Sequence, residues 1–218
     1  RWDDLELLYE ESAKWDEFIR MLESQESREK DVETKVSMLL KVADLWETKK
    51  EKSDRAARAY EKILKIDENH LGAAEALVPI YEEAGNAKGL ADALEVKLQH
   101  ITDGDECLEL LLQVAELYEN RLRKPDVALE RYLAALAIAP HSEEVAEHAE
   151  RVAGNTNSWD KLIAAFKAAL ESPSADPAAE GQLRLRLGRV LLEEVKEDDE
   201  ALAQYRAVYE LDPDNTVA

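Results

Sequence analysis

The chain of 218 residues has little of what marks irregular, cross-linked or catalytic proteins. Its one cysteine, Cys107, excludes an internal disulfide and a multi-cysteine zinc site. Only 7 glycines and 6 prolines occur, so long irregular segments are scarce. No apolar run approaches the roughly 20 residues that a membrane helix needs. The four histidines, His70, His100, His141 and His148, are too few and too scattered for a metal centre, although His141 and His148 could share one helix face. There is no glycine-rich phosphate loop, no H-E-x-x-H pattern and no G-x-S-x-G elbow. Neither catalysis nor a bound cofactor or metal is expected.

Basic residues are also in deficit. There are 28 Lys and Arg against 49 Asp and Glu, a formal net charge of −21. Phosphate backbones repel such a surface, which speaks against nucleic acid and anionic membranes as partners and leaves a basic protein segment as the better fit. The same acids also serve simply to keep an exposed helical rod soluble. What abounds instead is Ala, Leu, Glu and Lys, all strong helix formers.

The pattern repeats at a fixed period. MLLKVADLWE from Met38 returns as LLLQVAELYE from Leu110 (110 − 38 = 72). SDRAARAYEKILKID from Ser53 returns as PDVALERYLAALAIA from Pro125, and again as DDEALAQYRAVYELD from Asp198, one residue late. Ala56, Ala128 and Ala201 align, as do Tyr60, Tyr132 and Tyr205. In the other half of the unit, Trp15, Phe18 and Leu22 match Ala87, Leu90 and Leu94, and then Trp159, Leu162 and Phe166. The slip falls between Phe166 and Leu187, where Ser172 to Pro177 reads as a loop and an insertion is cheap.

Four apolar stripes of helical period fill each unit. They predict helices near 2–12, 15–25, 33–49, 53–66, 69–84, 87–101, 105–122, 125–138, 141–153, 158–171, 177–194 and 198–211, with start signals at Ser53, Ser158 and Asp176-Pro177. The expectation is a single array over residues 1–218, in units of about 1–68, 69–140 and 141–213.

The second hairpin of each unit resembles the tetratricopeptide repeat (TPR). The residues that carry the likeness are Leu112-x-x-Ala115-x-x-Tyr118, then Ala128-x-x-x-Tyr132-x-x-Ala135 and Pro140. Leu187-Gly188, Ala201, Tyr205 and Pro213 repeat them, as do Ala43, Trp46, Ala56 and Tyr60, with Glu68 in the place of the proline. Small residues at 43, 115 and 188 let neighbouring helices approach, and an aromatic ring fills the space beside them. The first hairpins depart from the pattern: Trp2, Leu5 and Tyr9 keep the spacing, but Glu6, Val78 and Glu150 stand at the small-residue place, and Pro79 lies inside a helix. Trp2, Trp15, Trp46 and Trp159 read as packing residues of the repeat.

The resemblance implies an all-α, right-handed α-solenoid of about twelve antiparallel helices in six hairpins. It also implies a non-enzymatic scaffold that binds a protein or peptide along its first helices. Projected onto this chain, that groove holds Leu40, Asp44 and Glu47, then Leu112, Glu116 and Glu119, then Leu185 and Arg189. Acids over an apolar floor suit a basic or amphipathic segment. The rival reading is a spacer that positions flanking domains and leaves the groove empty. Cys107, near a helix start, reads as a half-buried structural thiol.

The chain opens at Arg1, without methionine and already on a helical pattern, which reads as a piece of a longer protein; a cytoplasmic setting is the default expectation. Thr216 to Ala218 would begin a further unit, so an uncapped last helix and weak end-to-end self-association are expected.

Overall fold

The computed structural model describes Tyr9, residues 14–171 and residues 176–211. Among these lie eleven α-helices and no strand. They are α1 (Trp15–Glu26), α2 (Val32–Thr48), α3 (Ser53–Ile66), α4 (Leu71–Ala84), α5 (Ala87–Leu98), α6 (Gly104–Glu116), α7 (Pro125–Ile138), α8 (Glu143–Thr156), α9 (Trp159–Glu171), α10 (Pro177–Val190) and α11 (Asp198–Leu211). Helices α6 and α10 run on into π turns, Leu117–Arg121 and Leu191–Val195. The helix expected near 2–12, with Trp2, Leu5 and Glu6, lies outside the described residues apart from Tyr9, which is helical. Pro213, Thr216 to Ala218 and most of the Ser172–Pro177 loop lie outside them too.

The chain divides into two compact units, Arg1–His100 and Ile101–Ala218. In the first, each helix from α1 to α5 packs on the next. In the second, α6 to α11 do the same, and α9 also reaches α7. Connections of a few residues turn the chain back each time, so neighbours form helical hairpins.

The caps follow from sequence. Asp31, Asn86, Asp103, Ser142 and Asp176 accept from backbone amides in the first turns of α2, α5, α6, α8 and α10, and His70 Nδ1 does so for α4. Ser53 is not a cap: it is the first residue of α3, and Lys52 precedes it without a side-chain cap. His141 lies before α8, so it does not share a helix face with His148.

The 72-residue period is written in the backbone as well. Glu51, Arg123 and Lys196 all adopt left-handed φ values of 50°, 56° and 67°. After each of them the next amide reaches back six residues: Lys52 N to Trp46 O at 2.8 Å, Lys124 N to Tyr118 O at 2.8 Å, and Glu197 N to Leu191 O at 2.9 Å. The other hairpins turn differently. Gly85 (φ 66°) and Asn157 (φ 52°), also 72 apart, are left-handed. There the return bond spans five residues: Lys14 N to Tyr9 O at 3.1 Å, Asn86 N to Tyr81 O and Ser158 N to Ala153 O at 2.9 Å.

Both units have apolar interiors, with no buried polar or charged residue among those described. Ala43, Ala115 and Gly188, the expected close-approach sites, are buried. A Cβ on Gly188 would lie 3.0 Å from the Tyr205 ring. Phe18, Leu22, Leu90, Leu94, Leu162 and Phe166 are buried as aligned, and Trp15, Trp46 and Trp159 are half-buried. In the first hairpins the buried positions are Leu77 and Ala149, one residue before Val78 and Glu150. Leu77 and Ala149 match Val42, Val114 and Leu187, which precede the small residue and are buried too, so these hairpins keep the register and lack the small residue. Close approach occurs nearer the turn: a Cβ on Gly89 would meet the Tyr81 ring at 2.8 Å, and one on Gly154 would meet Trp159 at 3.1 Å.

Candidate functional site

Helix periodicity places Leu40, Asp44 and Glu47 on one face of α2. Leu40 is 36% exposed, large for a leucine in a helix with a buried stripe. Asp44 is exposed and pairs with Lys41 one turn back, at 3.8 Å. Glu47 is exposed too and accepts from Tyr60 Oη at 3.2 Å. Burial, followed by the charge of Glu47, pushes the Tyr60 phenol up to about 12.

The same bond recurs 72 residues on, where Tyr132 Oη donates to Glu119 at 3.1 Å. Burial and then the Glu119 charge raise the Tyr132 phenol as well. Here the carboxylate has a second partner. Arg151 of α8 grips both oxygens of Glu119, with Nη2 at 3.0 Å from Oε2, and its Nη2 also lies 3.0 Å from His148 Nδ1. His148 stacks on the Tyr132 ring, with centroids 5.1 Å apart. The Arg151 hydrogen bonds hold the Glu119 carboxyl below its usual range.

A second ion pair joins α8 to α10. Glu150 accepts from Arg186 at 3.0 Å and from Arg189, and Arg186 also reaches Glu143 at 3.4 Å. Of the eight groove candidates, Glu119 and Arg189 are thus held in internal pairs and Glu47 in a tyrosine hydrogen bond. Asp44 and Glu116 stay exposed, and Leu112 and Leu185 are half-buried. In the third copy Leu192 replaces the glutamate and Tyr205 has no carboxylate acceptor at that place; Leu192 is 40% exposed.

Sequence reading did not find Arg151, Glu150 or Arg186 as partners. Glu150 stood out only as a misfit in the repeat, and that misfit was the available signal. Cys107 is a free, half-buried thiol in the first turn of α6. Among the described residues, no group of three or more His, Cys, Asp and Glu is placed to hold a metal ion. No helix among them is long and apolar enough to cross a membrane.

No protein-family profile matches this chain, and no curated protein sequence does. Similar solved structures exist. One is YrrB, described as a TPR protein with an unusual peptide-binding site: 21% identical, covering 83% of this chain and 88% of that one, with a TM-score of 0.36. Another is TTC0263, a thermophilic TPR protein of Thermus thermophilus, at 21% identity, 83% and 93% coverage and a TM-score of 0.33. A third is PilF of Pseudomonas aeruginosa, at 15% identity, 99% and 92% coverage and a TM-score of 0.34. On its own helix order, recurrent turns and recurrent tyrosine contacts, the chain is an all-α helical repeat built of TPR-like hairpins.

Proposed function

We propose that the chain is a non-enzymatic protein-binding scaffold whose first helices receive a basic or amphipathic segment of a partner protein. The observation that carries this is the exposure of Leu40 beside Asp44 on α2, with half-buried Leu112 beside exposed Glu116 at the matching places of α6. An apolar contact flanked by an unburied carboxylate favours a segment that alternates apolar and basic side chains. The cytoplasm is the proposed setting.

The test is a crosslinking pull-down that compares the wild type with the variant D44K/E116K. These two acids are chosen because reversing Glu119 would also break its pair with Arg151. A protein retained by the wild type and lost by the variant, at equal helix content, supports the scaffold reading. Equal capture by both overturns the assigned face. The ion pairs of Glu119 with Arg151 and of Glu150 with Arg186 and Arg189 favour a second reading, a stiff spacer, and an empty pull-down with both proteins would select it.

Weak self-association belongs to the same proposal. Leu202 and Tyr209 of α11 are 46% and 57% exposed, whereas Leu129 and Leu136, their counterparts in α7, are fully buried. Light scattering across a concentration series should show mass rising with concentration, and a constant monomer mass would rule it out.

A further inference from the structure

One cleft in the first unit breaks the repeat in a chemically consistent way. It lies among α1, α2 and α3 and encloses about 190 Å³. Its floor is Leu39 and Val42, its wall is Trp46, and α3 lines the mouth with Arg55, Arg58 and Lys62. Glu23 is the one acid in its lining, in a chain whose net charge is −21, with Asp54 and Glu26 at its margin.

The cations are weakly engaged. Among the described residues, the Arg55 side chain meets the exposed neighbouring Asp54, at 3.9 Å, and stands over the Trp46 ring at 5.8 Å. Lys62 reaches Glu26 at 3.8 Å. Arg58 is exposed and has no hydrogen bond or ion pair among the described residues.

The other copies show that the fold does not ask for this charge. Val127, Glu130 and Ala134 stand at the matching places of the second copy, and Glu200, Ala203 and Ala207 at those of the third. In the third copy the matching pair is reversed and closed: Lys167, the counterpart of Glu23, bonds Glu200, the counterpart of Arg55, at 2.5 Å. Of the three copies, the first alone has three cations at these places.

We propose that this cleft is a binding site for an extended acidic peptide segment. Its carboxylates would pair with Arg55, Arg58 and Lys62, and an apolar side chain would enter beside Trp46. Arg55 and Lys62 are seven residues apart on one helix, or about 10 Å along its axis. Three or four residues of extended chain, at about 3.3 Å each, span that row, whereas a single compact anion does not. The cavity is smaller than the roughly 300–1,000 Å³ of small-molecule pockets and suits one side chain. The inference is separate from the α2 face that carries Asp44, because it assigns an opposite charge to a different surface.

The test uses fluorescence anisotropy with a labelled peptide of alternating glutamate and leucine. Binding to the full chain should weaken by about tenfold or more in the variant R55V/R58E/K62A. That variant carries the residues of the second copy, so the fold already accommodates them, and circular dichroism should be unchanged. Alternating glutamine and leucine, or glutamate and glycine, should bind at least about tenfold more weakly. The variant D44K/E116K should bind the acidic peptide no less tightly than the wild type, which separates this site from the proposed groove. The proposal is overturned if the wild type does not bind the peptide, if the transplanted variant binds equally, or if the neutral peptide binds as well. Equal displacement by inorganic phosphate or by single-stranded RNA at matched ionic strength would also overturn it.

Discussion

Glu47 and Glu119 provide a matched pair for measuring what an added arginine does to a repeated hydrogen bond. Each accepts from a tyrosine 13 residues later, at 3.2 and 3.1 Å, but only Glu119 is also gripped by Arg151. Replacing Glu47 with glutamine keeps an acceptor for Tyr60 and removes only the charge from that bond, so the expected loss is below about 1 kcal/mol. Replacing Glu119 also releases a bidentate guanidinium. The Glu119 side chain is 13% exposed and that of Arg151 48% exposed. The freed arginine turns to water, so the roughly 3–5 kcal/mol of a broken buried pair does not apply, and about 1–2 kcal/mol does. The assay is urea unfolding of the wild type, E119Q, R151M and the double variant, with E47Q as reference. Because repeat arrays do not have to unfold in one step, the cycle is read on the transition of the second unit and E47Q on that of the first. A coupling between Glu119 and Arg151 below about 0.3 kcal/mol, or an E47Q loss as large as that of E119Q, would refute the reasoning.

Other perturbations test the remaining contacts. The Glu119 carboxyl is held below its ordinary value in the fold, so its contribution is present above about pH 4.3 and should fade as acid is added below that; E119Q should flatten this part of the stability profile. The Tyr60 phenol is raised to about 12, so its contribution is intact below about pH 10 and lost as pH climbs through 12. A tyrosinate absorbance titration in which every tyrosine ionises near 10 would contradict this. The substitution G89A places a Cβ 2.5 Å from Nδ2 of the capping Asn86 and 2.8 Å from the Tyr81 ring and should destabilise by about 1–2 kcal/mol after the roughly 1 kcal/mol gain in helix propensity; an unchanged melting curve would show that both side chains move aside freely. R123G relieves left-handed backbone at a non-glycine residue and should stabilise by about 0.5–1 kcal/mol in thermal melts, and destabilisation would refute this; K196G should gain less, because it also removes the bond from Lys196 Nζ to the Glu193 carbonyl.

Much of this fold was legible because stacked helices repeat their demands. The buried rows from Phe18 to Phe166 and the aligned tyrosines follow from period and residue size alone. Most helix starts were legible, Ser53 of α3 among them, but α4 and α8 begin two residues later than expected, at Leu71 and Glu143, because His70 and Ser142 serve as their caps. The departure of the first hairpins from the pattern was legible at Val78 and Glu150, but the closer approach at Gly89 and Gly154 was not. On the candidate face, the identities of Asp44 and Glu116 were readable but the fates of Glu119 and Arg189 were not. Their partners lie 32 and 39 residues away in sequence, and only helix packing brings such residues within reach.

The alternation of the two turn types limits how such a chain can be shortened or lengthened. A six-residue return follows α2, α6 and α10, and a five-residue return follows α4 and α8. Removing one hairpin of about 36 residues would join two turns of the same kind and set side by side helices whose faces were shaped for other neighbours. Removing a whole 72-residue period restores the original order of turns and faces at the splice. The module that gene duplication or an engineer can copy, delete or graft is therefore the pair of hairpins, and a library that cuts at single hairpins should return mostly aggregated protein.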